Sequence, residues 1–528
     1  MLLTSLLAGC APAPDSATGP RGAAPAVAPA APALRRLTQQ QYLAAVEDLL
    51  GEGLALPTSL EPDSAVDGLY SVGAASTTLS PVGVEDYEDA AYDLAEQVVA
   101  DPDRVLAVLG CTPGSDGCLE SGVATFGRRA WRRTLTTEEV ARVVAVGEAA
   151  EAALDADAGA TYAIATLLQS PYFLYRVEIG EPDPDDATLR RYTSTEMATR
   201  LAFFLWNTTP DDALIDAGEA GDLATDAGLA SEVDRLLDDE RAHAGVRALF
   251  ADMLTLDGLD DLAQDPTLFT HMSPDLGPSA REETLLGIEA LVFEDSEGWP
   301  SFFTTRRTFL DDELAALYNV QSPARDGFAE TELDADGGRA GFLGQASFLA
   351  LQAHPTATSA TRRGMFVREV LLCQPIPPPP ADVDASIPEP DTDSPTLRER
   401  MEVHRTDPSC ASCHTLTDVI GLGFENFDAV ARWRTTENGA TIDPSGDLDG
   451  EHFADAVGLG KRVAAHERLG PCLAETVYRY ATARSVGEGE EALVDWHAAG
   501  LAESGDSVRW LLRDIATSPG FRTAGELE

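Results

Sequence analysis

A chain of 528 residues, 44% of them apolar, is long enough for several hydrophobic cores at roughly 100–200 residues per domain. Its 37 Lys and Arg stand against 89 Asp and Glu, a formal charge of −52. That balance excludes nucleic acid as the expected partner, because a polyanion is held by basic groups, and it reads as a heavily hydrated surface.

Met1–Cys10 is a short apolar run that ends in small residues directly before a cysteine. Leu7-Ala-Gly-Cys10 resembles the signal of bacterial lipoproteins, which implies a lipid on Cys10; an ordinary cleaved signal is the alternative. No Lys or Arg precedes the run, so a start further upstream is expected. Residues 11–33 are nearly all Ala, Pro, Gly and small polar residues, a composition expected to form a disordered tether. No later stretch reaches the roughly 18 apolar residues of a membrane span, so lipid is the only membrane contact expected.

Beyond residue 33 helical periodicity dominates and strand-like alternation is scarce, which predicts an all-α, multi-domain protein. Helices are expected over Thr38–Leu50, Thr136–Leu154, Ser194–Trp206, Arg281–Phe293, Arg362–Leu372 and Ser507–Ile515. Thr136 and Thr193 are candidate caps with acid in the following turn, and Ser394-Pro395 predicts a helix with proline at its first position. Breaks near 102–117, 181–187, 323–338 and 374–394 divide the chain into helical domains over 34–110, 111–182 and 183–322. A helical segment with a Pro-rich connector follows over 323–393, then a motif-bearing region over 394–450 and a C-terminal helical domain over 451–528.

The strongest chemical signal is Cys410-Ala-Ser-Cys413-His414. Cys-x-x-Cys-His is the attachment pattern of a c-type haem: two thiols add to the haem vinyls and the imidazole becomes the proximal iron ligand. A redox Cys-x-x-Cys of thioredoxin type would expect a βαβ setting, and a zinc site a second ligand pair; neither pattern is present. One covalent haem c is therefore expected, in a cytochrome c-like region of the C-terminal third. Such attachment belongs outside the cytoplasm. With Cys10 assigned to lipid and Cys410 and Cys413 to haem, four cysteines remain, an even number that an oxidising compartment would pair. Cys111 and Cys118 bracket a turn-rich segment and close a local bridge easily, which leaves Cys373 with Cys472; four reduced buried thiols are the alternative.

Several phrases together carry a wider resemblance: Leu37-Thr-Gln-Gln-Gln-Tyr-Leu, Phe126-Gly-Arg-Arg-Ala-Trp131, Ser170-Pro-Tyr-Phe-Leu-Tyr-Arg-Val-Glu178, Arg200-Leu-Ala-Phe-Phe-Leu-Trp-Asn207 and Gly423-Phe-Glu-Asn-Phe-Asp428 through Arg434. Over about residues 34–522 the chain resembles bacterial extracytoplasmic proteins made of consecutive domains of unknown function numbered fifteen-eighty-five to fifteen-ninety-five. These proteins often carry a cytochrome c motif. The resemblance implies an architecture but no reaction. Relatives often have methionine shortly after the motif histidine; here Thr417 stands there, and no methionine follows the motif. Candidates for the second axial ligand are His354, His404, Met401 and Met365, and a vacant position is the alternative.

Arg432, Trp433 and Arg434 could contact haem propionates, or simply end an amphipathic helix. Arg128, Arg129, Arg132 and Arg133 around Trp131 are expected to form internal ion pairs with Glu138 and Glu139. Asp443, Asp447, Asp449 and Glu451 form an acidic turn that lacks a full calcium-loop pattern. No nucleotide loop, serine elbow or His-Glu-x-x-His occurs. The expected function is electron transfer by a lipid-anchored haem protein in contact with a redox partner protein. A haem enzyme of peroxidase or oxygenase type is the first alternative, and a cell-surface binding or assembly protein with a structural haem the second.

Overall fold

The computed structural model describes residues 21–377, 390–406 and 410–527, without the side chains of residues 403 and 404. Helices form where the sequence supplies both an apolar stripe and a cap. Thr38 opens α1 (Gln39–Leu50) in a capping box with Gln41. Ser80 opens α2 (Pro81–Ala100) with proline at the first turn. The short hinge after α3 (Cys118–Ala130) leads to α4 (Thr137–Ala153), whose capping box joins Thr136 to Glu139. With α5 (Ala156–Leu168) these helices bury Tyr42, Leu94, Phe126, Ile164 and Phe173 in one core. The expected domains 34–110 and 111–182 thus share a single interior.

A second, larger core takes in nearly everything after residue 190. α6 (Ser194–Leu205), boxed by Thr193 and Glu196, contributes Leu201 and Leu205, while its Phe203 turns into the first core. α7 (Leu276–Glu289) runs into a π-helical turn at Ala290–Glu294. α8 (Ala360–Phe366) ends the same way, at Val367–Leu371. α9 (Ala411–Gly421) carries the Cys-x-x-Cys-His motif. α10 (Leu469–Thr482), α11 (Glu491–Glu503) and α12 (Val508–Ala516) close the chain. The predicted proline start at Ser394-Pro395 moves by two residues, because Thr396 is the cap of the short helix Leu397–Arg400 and Glu399 completes its box.

The protein is mostly helical, and its strands are short antiparallel pieces that fasten distant segments. Arg35–Arg36 pairs with Tyr175–Arg176, and Thr523–Gly525 pairs with Leu189–Arg191. Residues 21–33, expected within a disordered tether, instead lie extended along the C-terminal helices. Arg21 stacks 3.2 Å over Trp496 and ion-pairs Asp514, and the amides of Ala28 and Gly525 donate to Gly489 and Ala30. Among the described residues, no helix is long and apolar enough to cross a membrane.

Among the described residues two disulfides are present, Cys111–Cys118 and Cys373–Cys472. The first closes a seven-residue separation; the second ties the end of the α8 segment to α10 across 99 residues.

Candidate functional site

The Cys410–His414 motif occupies the first turn of α9, and α9 is held against α8 by two glycines. A Cβ on Gly364 would come within 1.9 Å of the Thr417 carbonyl oxygen, and one on Gly421 within 1.7 Å of the Ala360 carbonyl. Only hydrogen fits at these two crossings, so the helices approach backbone to backbone. The register is antiparallel, 360 beside 421 and 364 beside 417.

That register positions the motif histidine. Residues four apart share a helix face, and Asp418 lies one turn beyond His414. The His414 imidazole donates from Nδ1 to Asp418 Oδ2 at 2.8 Å. Asp418 is fully buried, and its other oxygen accepts from Thr361 of α8 at 2.9 Å and from Thr417 at 3.2 Å. A buried carboxylate is tolerable because each oxygen is hydrogen-bonded. With the proton on Nδ1, the lone pair of the neutral ring lies on Nε2, the geometry by which a carboxylate orients a metal-binding histidine. Met365 sits one turn along α8 from Thr361, and the same register sets it level with Leu416.

Cys410 and Cys413 stand outside both disulfides and are partly exposed. The Cys413 thiol lies 3.4 Å from the Pro377 carbonyl, so the connector passes beside it. Residues 378–389 and 407–409, which flank this corner, lie outside the described residues. Among the described residues, no three His, Cys, Asp or Glu side chains converge to hold an ion by themselves. Two separate thiols and one oriented imidazole instead match the protein's share of a c-type haem, in which the porphyrin supplies the remaining donors. The donor set fits that group.

The bed under α9 is built from buried arginines. Arg363 donates to the carbonyls of Leu349, Phe424, Phe427 and Asp428 at 2.9–3.1 Å, pinning the turn that follows α9. Arg368 reaches the Leu416 carbonyl at 3.2 Å and ion-pairs Asp449 at 2.7 Å, and Asp449 also accepts from His466. Glu425 accepts from Thr358 and from Arg434 at 2.7 Å, and burial pushes its carboxyl above the usual range.

Several sequence candidates are used elsewhere. Arg434 pairs with Glu425, and Trp433 packs edge-on against Phe427 and over Gly338 while remaining 40% exposed. Arg432 is exposed. His354 is exposed in the loop before α8, and its imidazole is shifted down by desolvation and by Arg362. Met401 is buried with Ala360, Leu397 and Leu422. The side chain of His404, and Cys10, lie outside the described residues.

The arginines around Trp131 do form ion pairs, with one of the two expected partners. Arg133 holds Glu139 at 2.9 Å, Arg128 reaches Asp216 and Glu219, Arg129 pairs with Asp48, and Arg132 is buried under three backbone carbonyls. Glu138 takes no part among these pairs. In the acidic turn, Asp443 and Asp447 accept local amides, and Asp449 and Glu451 pair with Arg368 and Arg462. Asp418, Thr361 and the two glycines were not singled out from sequence, although His414 and Asp418 at i, i+4 spell the contact.

Five family profiles match in succession, each described as a protein of unknown function: DUF1587 over residues 35–100, DUF1595 over 118–178, DUF1592 over 192–320, DUF1588 over 339–437 and DUF1585 over 449–521. The Cys410–His414 motif falls within the fourth. No curated protein and no solved structure matches the chain. The five domains in unbroken order show that the chain belongs to the multi-domain family of proteins built from these domains of unknown function.

Proposed function

We propose that this protein is an extracytoplasmic electron-transfer protein with one c-type haem bound through Cys410, Cys413 and His414. The observation that carries this reading is a division among the described cysteines. Four are joined in disulfides, while the two of the Cys-x-x-Cys-His motif stand outside them beside a histidine that Asp418 orients. When bound, the haem supplies a one-electron ferric/ferrous couple. Each thiol would add across one vinyl double bond: a carbon–sulfur bond forms, and the thiol hydrogen goes to the neighbouring carbon. His414 would ligate through Nε2 while Asp418 holds the Nδ1 proton. The two disulfides suit an oxidising compartment, and Cys10 would carry the lipid that keeps the chain at a bacterial membrane. A redox partner protein follows from this function.

Two observations favour a second reading, a haem enzyme of peroxidase or oxygenase type. A carboxylate on the proximal imidazole makes the ligand more basic, and Thr417 stands where relatives often have methionine. Spectroscopy of the purified protein separates the two. A low-spin spectrum indifferent to cyanide and carbon monoxide is expected for electron transfer, and a high-spin iron that binds both supports the enzyme.

A further inference from the structure

Far from α9, the chain buries an excess of positive charge despite its acidic total. Arg35, Arg36, Arg132, Arg176 and Arg200 are each at most 7% exposed, and the carboxylates paired with this group are Glu178 and Asp63. Glu178 is fully buried among Arg35, Arg176 and Arg200, and their charges hold it down to about 2. The short pairing of Arg35 opposite Arg176 brings the group together. Burial pulls both Arg35 and Arg132 down to about 9.

A cavity of about 10 Å³, the room of one water-sized particle, opens inside this cluster. Arg35, Arg36, Arg176, Gln41, Ser71 and Tyr480 line it, and no carboxylate does. Arg35 spends its N–H groups on Glu178 and on the carbonyls of Ala481 and Thr482. Arg176 faces Glu178 through Nε at 3.1 Å, out of line for a hydrogen bond, and the buried Nε of Arg36 has no hydrogen-bond acceptor. The nearby Asp252 accepts the amides of Tyr70 and Ser71. Phe203 lies 5.4 Å below the Arg176 guanidinium and offers nothing to accept a proton.

We propose that this cavity binds a single small inorganic anion, such as chloride, on Arg36 and Arg176. The ion offsets the unshared positive charge and fastens the N-terminal segment at Arg35–Arg36 to Tyr175–Arg176 and to α10 through Tyr480. A ligand that binds only the folded state raises stability with its concentration.

The test is thermal unfolding of the full chain in sodium chloride against sodium gluconate at equal ionic strength, with crystals grown in sodium bromide. A saturable rise in Tm of about 1–2 °C in chloride alone is expected, together with an anomalous bromide peak between Arg36 and Arg176. Arg176→Gln should abolish the chloride increment. Should that variant fail to fold, Ser71→Val leaves every arginine pair intact, places a methyl in the cavity and should do the same. Identical curves in the two salts with only water in the cavity, or an increment that survives Ser71→Val, would overturn the proposal.

Discussion

Among single residues, buried polar groups are held by named partners. Asp418 is held by Thr361, Thr417 and His414. Replacing its negative charge by a neutral amide should therefore make the imidazole a poorer donor to ferric iron. Asp418→Asn is expected to raise the reduction potential of the haem-loaded protein by several tens of mV, against 59 mV for a tenfold change in a one-electron equilibrium. An unchanged potential in spectroelectrochemical titration would mean that the contact is only structural. A second residue, Glu283, is fully buried, accepts from Thr308 and Tyr318 at 2.6 Å each, and is pushed up by burial from 4.5 to about 7. Its folded form holds a proton that the unfolded chain has lost. The stability it contributes is present below pH 4.5 and is lost as pH rises through about 7. That amounts to about 3 kcal/mol at one proton and 1.36 kcal/mol per unit. Glu283→Gln should flatten this part of the stability profile between pH 5 and pH 8; denaturant midpoints across that range measure it. The Cys-x-x-Cys-His pattern at the start of α9 was legible in the sequence because it is a local spacing. The environment of Glu283 was not, because the side chains that enclose it come from segments 25 to 35 residues away.

At the scale of elements, the capped helices were the most legible feature. α1, α4, α6 and α12 begin within a residue of their Thr or Ser signals, since a cap and an apolar stripe are both local information. The crossing of α8 and α9 was hidden, because a glycine in a helix announces a close approach only when its partner is known. Gly364→Ala should force the helices apart and cost about 1–3 kcal/mol by overpacking. Alanine at an exposed glycine with open space around it, such as Gly487, gives the comparison. A denaturant midpoint for Gly364→Ala equal to that of the wild type would contradict the close approach. The two π-helical turns, at Ala290–Glu294 and Val367–Leu371, left no sequence signature that periodicity could detect.

For the whole molecule, two large cores gather most of the buried apolar side chains among the described residues, and distant pairings fasten the segments around them. Sequence punctuation marked the breaks between helices but not which helices share an interior, which is decided by long-range packing. The Cys373–Cys472 bridge spans 99 residues and should contribute about 4–5 kcal/mol by restricting the unfolded chain, against about 2–3 kcal/mol for Cys111–Cys118. Paired serine replacements followed by denaturant unfolding would reveal that difference. Covalent haem counted on the chain purified from cells with a cytochrome c maturation system tests the proposed function. One haem per chain is expected that resists acid extraction and is absent from a folded Cys410→Ala, Cys413→Ala variant. A folded wild-type chain without covalent haem would contradict it.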